Sequence, residues 1–216
     1  MSVEHLNHLL VRELEGSELN VAASILYQSY HDDPLFMTIF QAEKSDYEKK
    51  LRAAIREELS AFWQSSQTIL GLFQSEQLIG VACLVKANSG LGGHRYWHWR
   101  LKMLLTAGYV STRQLLEKEE RIHAAMPAKD YHMLAFIAVS PRHQQLGLGH
   151  HLLRAVDQLV DEDSNSSGVG IFVTLEKYLP FFAGDAYQTV TELRFNTVQG
   201  KLLFRPRQAN ASQAEV

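Results

Sequence analysis

The sequence MLAFIAVSPRHQQLGLGHHLLRAVDQLV, residues 133–160, decides how the rest of the chain is interpreted. An almost wholly apolar run over residues 133–139 predicts a strand that is buried on both faces. Ser140 and Pro141 end this strand, because proline cannot donate a hydrogen bond within a central ladder. A turn with two glycines follows, and the apolar residues after it recur at helical spacing. We therefore expect a strand, a tight turn and a helix in succession.

The glycine turn at the start of this helix predicts an anion site. Backbone N–H groups point outward at a helix N-terminus, and the helix dipole favours negative charge there. Two common phosphate loops are excluded by spacing: G-x-x-x-x-G-K-[S/T] is absent, and G-x-G-x-x-G breaks at Leu152. The alternative is an ordinary turn whose glycines serve tight packing.

The pattern that remains is Q-x-x-G-x-G, formed by Gln144, Gly147 and Gly149, behind V-x-P, formed by Val139 and Pro141. It resembles the acetyl-CoA pyrophosphate loop of the GNAT superfamily of N-acyltransferases. The resemblance implies that the backbone of three strand residues binds the pantetheine arm and that the loop wraps the pyrophosphate. These cofactor-binding residues are Ile137, Ala138, Val139, Gln144, Gln145, Leu146, Gly147, Leu148, Gly149 and His150.

Composition favours a globular enzyme domain with a single core. The chain has 216 residues, 46% apolar and 21% charged, with a net charge of −3. This balance argues against nucleic-acid binding, which first requires a basic face. One cysteine, Cys83, fits a reducing compartment, and no apolar run approaches a membrane span or a signal peptide. We expect a cytoplasmic protein without nucleic-acid or membrane partners.

The order of predicted elements resembles the GNAT fold over nearly the whole chain: an α/β (α+β) domain with a mixed, mostly antiparallel sheet of about seven strands flanked by helices. The Asp33-Pro34 break, a helical pair before the central strand and the lead-in Tyr131-His132 resemble the puromycin-acetyltransferase-like subset. We predict one domain over residues 1–205, with the helical pair at 95–127 and a flexible tail at 206–216. Predicted strands cover 9–14, 68–73, 78–85, 133–139, 169–175, 187–195 and 201–204. Predicted helices are one from the Ser17 N-cap to Tyr30, one over 45–64, two stretches within 95–127, the helix that residues 144–149 open, and one over 179–183.

The proton donor departs from the family pattern. The family places a tyrosine in the helix after the fifth strand, where it protonates the leaving CoA thiolate. Aligning Leu179-Pro180-Phe181-Phe182 puts Phe182 at that position, and phenylalanine has no proton to give. Tyr178, about one helical turn earlier, is the candidate substitute, with simple packing as the alternative. A thiol has a pKa of about 8.5, so water can also protonate the thiolate.

A general base is needed because an amine with a pKa of about 10 must lose a proton before it attacks. His132 begins the central strand and titrates in the useful range. Glu176 follows the neighbouring strand and is the second candidate. Asp33 is a third, although breaking the helix before Pro34 accounts for it. The alternatives are a solvated strand-end histidine and a surface carboxylate.

Histidines and aromatic residues suggest two further features. His94 and His98 have i,i+4 spacing and His150-His151 is a pair, but zinc needs three or four convergent ligands, so we predict no metal site. Tyr30, Asp33, Phe36 and Trp97 are the candidate residues of the acceptor pocket.

The sequence therefore predicts an N-acetyltransferase that passes acetyl directly from acetyl-CoA, as co-substrate, to an amine of a small molecule. The alternative is a catalytically weak or silent CoA-binding regulatory protein. Acceptor identity and acyl length are left open, as is the oligomeric state, with a homodimer as one alternative.

Overall fold

The computed structural model describes residues 9–86, 103, 107–184 and 186–208. Seven strands form one sheet in the order β1-β2-β3-β4-β5-β7-β6. The β4–β5 pair is parallel and every other pair is antiparallel, which confirms the predicted mixed sheet. The strands are β1 Leu9–Glu13, β2 Thr68–Gln74, β3 Gln77–Val85, β4 His132–Val139, β5 Gly168–Val173, β6 Gln188–Phe195 and β7 Val198–Pro206.

Six α-helices flank the sheet in the described part of the chain. They are α1 Leu19–Tyr30, α2 Pro34–Phe40, α3 Tyr47–Gln64, α4 Tyr109–Ala125, α5 Leu148–Glu162 and α6 Leu179–Ala183. One core lies between the sheet and helices α1 to α4, around Leu26, Phe40 and Leu51. The other lies between the sheet and helices α5 and α6, around Leu152 and Leu153. The sheet is therefore covered on both faces, as the apolar sequence of β4 predicts.

Helix α2 is absent from the sequence prediction, which gave Asp33-Pro34 only as a helix break. The Asp33 carboxylate accepts hydrogen bonds from the backbone N–H groups of Leu35 at 2.9 Å and Phe36 at 3.2 Å. Pro34 occupies the first turn, where its missing N–H costs nothing. The same two residues thus end one helix and start the next.

A β-bulge lies in the middle of β4. Cys83 pairs with Phe136, but the next residue, Leu84, pairs with Leu134, so Ala135 has no register partner on β3. The extra residue reverses the alternation of faces along the strand. Phe136 accordingly lies in the core under α1 to α4, while Leu134 lies in the core under α5 and α6.

Hydrogen bonds hold the end of β7 and the two residues after it to the rest of the domain. Strand β7 runs to Pro206, and beyond it Arg207 N–H donates to the Ser167 carbonyl at 2.9 Å and Gln208 N–H to Asp161 Oδ1 at 2.8 Å. Residues 206–208, the first three of the predicted tail, are thus held to the domain by β7 pairing and hydrogen bonds. The first helix of the predicted pair lies outside the described residues. None of the described helices is both long and apolar enough to span a membrane.

Candidate active site

An opening separates β4 from β5. The two strands pair only at His132 with Val169 and Met133 with Gly170. Beyond those pairs β4 continues to Val139 along β3, whereas β5 continues to Val173 along β7. Parallel strands that diverge leave backbone N–H and C=O groups without a ladder partner, and these groups need another one. The predicted splay is therefore present, and it starts after Met133.

Side chains of α1 and the loop occupy the exposed edge of β4. The Tyr30 hydroxyl accepts from the N–H of Ile137 and donates to its carbonyl, each at 3.2 Å. The Val139 carbonyl accepts from Gln144 Nε2 at 2.8 Å and from the Ser29 hydroxyl at 3.4 Å. All three residues are also in register with β3, where Ile137 pairs with Ala82, Ala138 with Val81 and Val139 with Gly80. Two of the three predicted pantetheine-binding residues thus turn polar backbone groups toward the opening.

Burial raises the pKa of Tyr30 well above the ordinary tyrosine value, and the charge of Asp33 adds to the effect. Cys83 and Tyr178 raise it further. The phenol of Tyr30 is therefore protonated at every ordinary pH.

The predicted pyrophosphate loop is exposed and shaped by left-handed backbone. Gln145 has φ 61° and Gly147, the N-cap of α5, has φ 74°. A Cβ built on Gly147 would meet no heavy atom within 4 Å, so the space above the turn is open. Leu146 is 66% exposed, whereas Leu148 is buried and anchors the helix start. Alternating backbone of this kind turns N–H groups into an anion-binding concavity.

Gly149 has a different role from Gly147. A Cβ on Gly149 would lie 2.9 Å from Cε2 of Phe181, so this glycine allows α6 to pack against the loop. The ring of His150 stacks on the same phenylalanine, with ring centroids 4.6 Å apart. The packing explanation considered from the sequence therefore fits Gly149 but not Gly147.

The segment after β5 carries the candidate proton donor. Phe182 is buried between Phe181 and Tyr187, in the core beneath α5 and α6. Tyr178 is 44% exposed and ends the single 3-10 turn Glu176–Tyr178, where Glu176 is also exposed. Tyr178 is thus the accessible hydroxyl on this segment, consistent with its prediction as the substitute.

His132 lies at the paired end of β4, away from the opening. Its ring is 1% exposed, with Nδ1 at 2.9 Å from Ser166 Oγ and Nε2 at 3.7 Å from Asp163 Oδ2. Burial lowers the pKa of His132, and the charge of Asp163 partly opposes that shift. Since both ring nitrogens face polar partners within the fold, this geometry favours a structural role for His132.

A cavity of about 570 Å³ lies on the side of the opening that faces α1, α2 and α4. Three of the four residues predicted for the acceptor pocket, Tyr30, Asp33 and Phe36, line this cavity, while the fourth, Trp97, lies outside the described residues. The other lining residues are Leu35, Leu116, Lys118, Glu119, Glu120, Ile122, His123, Tyr131, Met133, Leu134, Ala135, Ile171, Phe172 and Thr174.

Asp33 has little capacity left for catalysis. One carboxylate oxygen caps α2, and the other accepts a short hydrogen bond from the Thr174 hydroxyl. Thr174 follows β5, so this bond ties the α1–α2 corner to the far strand of the opening. Asp33 thus fixes the shape of the cavity wall.

A hydrogen-bonded pair that sequence reasoning missed also lines the cavity. The Tyr131 hydroxyl lies 2.7 Å from Nδ1 of His123, joining the last turn of α4 to the residue before β4. Burial raises the pKa of Tyr131, and the charge of Glu119 adds to this. No local motif marks the pair, because one partner sits on a helix and the other follows a loop.

A metal centre finds no support in the described residues, where no group of three or more His, Cys, Asp and Glu side chains is arranged to hold an ion. His94 and His98 lie outside those residues, and His150 stacks on Phe181.

Comparison with known proteins identifies the family. A sequence model of the Acetyltransferase (GNAT) family matches residues 26–176. No curated protein sequence matches the chain.

Solved structures share the fold at low identity. One described as histone acetyltransferase HPA2 and related acetyltransferase, from Corynebacterium glutamicum, has a TM-score of 0.72 and 13% identity, covering 94% of this chain and 99% of that one. An agmatine N-acetyltransferase mutant has a TM-score of 0.63 and 17% identity, and the match covers 93% of this chain and 100% of that one. A mosquito arylalkylamine N-acetyltransferase-like protein has a TM-score of 0.59 and 14% identity, and the match covers 92% of this chain and 99% of that one. Together with the family match over most of the chain, the splayed strand and its glycine loop show that the chain belongs to the GNAT family and is an N-acetyltransferase of that type.

Proposed function

We propose that this protein transfers acetyl from acetyl-CoA to the amino group of a small molecule held in the cavity beside β4. One observation carries the proposal: the open glycine loop and the cavity lie at the same splayed strand, so a thioester and an acceptor can meet there. The loop follows β4 directly, and the cavity is lined by Met133, Leu134 and Ala135 of the same strand.

The residues around the opening fit acetyl-CoA. The open space above Gly147 and the N-terminus of α5 suit the pyrophosphate, with Gln144 to His150 around it. The edge of β4 at Ile137 and Val139 suits the amides of the pantetheine arm. When bound, acetyl-CoA supplies an acyl group whose carbonyl carbon is open to attack.

In the free protein, the Tyr30 hydroxyl occupies backbone groups of β4 that we assign to acetyl-CoA. Its hydroxyl satisfies both backbone groups of Ile137, so an acyl-CoA that uses those groups must replace it. The exchange trades one hydrogen-bonded partner for another, so it costs little net free energy. The released N–H of Ile137 then polarises the thioester carbonyl, as an oxyanion donor does.

Transfer is direct, through a ternary complex. The amine lone pair forms a bond to the carbonyl carbon, the C–S bond breaks, and its electron pair passes to sulfur. Cys83 is no rival nucleophile, because it is fully buried and burial raises its thiol pKa. We assign Tyr178 as the proton donor to the leaving thiolate, because its side chain is exposed on the turn after β5. Glu176, on the same turn, is the rival base.

The small-molecule acceptor and the puromycin-acetyltransferase-like subset are part of the proposal. Helix α4 supports both, because it stands between β3 and β4 in the chain and closes the cavity. It is fixed to α2 by the Ser111 hydroxyl, which donates to the Ile39 carbonyl at 2.7 Å, and to β6 by Arg121, which donates to the Arg194 carbonyl at 2.7 Å. Such a wall limits the size of an acceptor. We further propose that residues 1–205 form one domain in the cytoplasm.

An acceptor screen tests the proposal. The full chain is incubated with acetyl-CoA and a panel containing agmatine, 2-phenylethylamine, lysine-containing peptides and aminoglycosides, and acetylated products are identified by mass spectrometry. We expect transfer to at least one small amine, with CoA release above hydrolysis. Tight acetyl-CoA binding without transfer to any amine would instead favour the silent CoA-binding alternative.

A further inference from the structure

We propose that Tyr131 and His123 form a proton exit from the acceptor cavity to solvent, with Tyr131 taking the proton of the acceptor ammonium and His123 receiving the proton that Tyr131 gives up. The proposal rests on the proposed function and adds to it the group that generates the free amine. It assigns Tyr131 as a catalytic residue and His123 as the positioning residue behind it.

Tyr131 and His123 are joined by a direct side-chain hydrogen bond. Tyr131 Oη and His123 Nδ1 are 2.7 Å apart, a short hydrogen bond for this pair of atoms. Both residues line the cavity, but Tyr131 is only partly exposed whereas His123 is exposed. The pair therefore connects the inside of the cavity with the solvent through a single hydrogen bond.

Most other titratable groups among the described residues of the cavity wall are held by contacts within the fold. Asp33 is tied by the α2 cap and by Thr174, and the hydrogen bonds described for Tyr30 lead only to the backbone of Ile137, so they give its proton no route to solvent. Of the remaining described groups, Lys118 and Glu119 form an ion pair, and His123 is the one that is hydrogen-bonded to Tyr131. The titratable groups that line the cavity with this pair are Tyr30, Asp33, Lys118, Glu119 and Glu120.

The described cavity wall carries an excess of carboxylates. Glu119 and Glu120 line it together with Lys118, whose ammonium is 3.7 Å from Glu119. Two carboxylates favour the entry of a cationic amine. Glu119 also raises the pKa of Tyr131, together with burial, which keeps the phenol protonated and suits it to pass a proton on without storing charge.

The proton balance is simple. The ammonium N–H gives its proton to Tyr131 Oη, while the Oη–H proton moves to Nδ1 of neutral His123. The imidazolium then loses a proton to water, and Tyr131 is again a phenol. The amine is left with the lone pair that attacks the thioester carbon.

Paired acceptors test this route on the full-length protein. Tyr131→Phe and His123→Gln are compared with wild type using 2-phenylethylamine and agmatine, which are cationic at neutral pH, and aniline, which is not. We expect kcat/KM for the cationic amines to fall by about 10²-fold near neutral pH and to recover as pH approaches the amine pKa. Aniline transfer should change little, because no proton needs to leave before attack.

Controls separate this role from a structural one. Tyr109→Phe, at an exposed tyrosine of the same helix, and Glu176→Gln, at the rival base, should leave the pH profile for cationic amines unchanged. Melting temperature and acetyl-CoA affinity of each variant report folding. An equal loss for all three amines, or a pH profile moved only by Glu176→Gln, would overturn the proton exit while leaving acetyl transfer intact. Absence of transfer to all three amines in the wild type would count against the proposed function for this acceptor class and against the exit with it.

Discussion

The two ends of β4 differ in what satisfies their polar groups. At the His132 end the strand is paired on both sides, and the imidazole is buried against Ser166 and Asp163. At the Val139 end the strand has diverged from β5. The Val139 carbonyl there accepts hydrogen bonds from the side chains of Gln144 in the loop and Ser29 in α1, which a ligand can replace. The contrast indicates that the backbone groups of β4 are available to a ligand where β5 has diverged from it.

The largest expected effect is at the splayed end. Gly147→Glu should weaken acetyl-CoA binding by at least about 10²-fold, because a carboxylate placed against the pyrophosphate costs several kcal/mol. Isothermal titration calorimetry measures this. Gly108→Glu is the matched control, since Gly108 is also a helix N-cap with positive φ and open space around it. Equal loss in both variants would assign the effect to backbone strain.

The second prediction concerns the turn beyond the opening. Tyr178→Phe should lower kcat by roughly 10²–10⁴-fold, most clearly at high pH, where water is a poor acid. Acetyl-CoA affinity should remain close to wild type. Phe182→Tyr is the companion variant, and because Phe182 is 3% exposed in the core we expect it to cost stability without raising turnover. A gain in turnover from Phe182→Tyr with no loss from Tyr178→Phe would reverse the assignment.

The third prediction concerns the paired end. The pKa of His132 is lowered in the folded state, so below the ordinary histidine pKa of about 6.5 the unfolded chain binds more protons than the native one. Stability should therefore rise with pH through that range and fall on acidification. His132→Gln should flatten this dependence and cost about 0.5–1.5 kcal/mol of unfolding free energy, because one hydrogen bond is lost while Ser166 Oγ keeps its bonds to Gly168. Denaturant titration at several pH values measures both, and kcat per folded molecule should not change.

The smallest effect is expected at Tyr30. Tyr30→Phe removes the hydroxyl that occupies the backbone groups of Ile137, so acetyl-CoA should bind about two- to tenfold more tightly. Tyr47→Phe is the control, because its hydroxyl donates to the His31 carbonyl in the same core. Weaker binding in the Tyr30 variant would mean that the hydroxyl contacts the ligand and does not merely hold its place.

Sequence reasoning succeeded where the signal is local. The apolar run of β4, the proline stop and the glycine loop lie within 28 residues, and each has its own short-range pattern. The mixed sheet of seven strands is confirmed. Helix α2 was missed because seven residues are too few to show a helical period, although Asp33-Pro34 is an N-terminal signal as well as a break.

What sequence reasoning could not find depends on distant contacts. Tyr30 was taken as part of the acceptor wall, but its bond to Ile137 joins residues 107 positions apart. The bulge at Ala135 has no marker within β4, since it is set by the register with β3. His132 was chosen for its ordinary pKa and strand position, and neither property reveals which end of the strand is open.

The central claim is that acetyl-CoA binds along the splayed end of β4 and the loop that follows. Backbone amide shifts of ¹⁵N-labelled protein, followed by NMR during titration with acetyl-CoA, test it most directly. We predict large shifts at Ile137 and at the amides of residues 145–150, with Met133 and Val169 nearly unchanged. Saturable binding that shifts the paired end of β4 and leaves Ile137 and the loop unmoved would contradict the account.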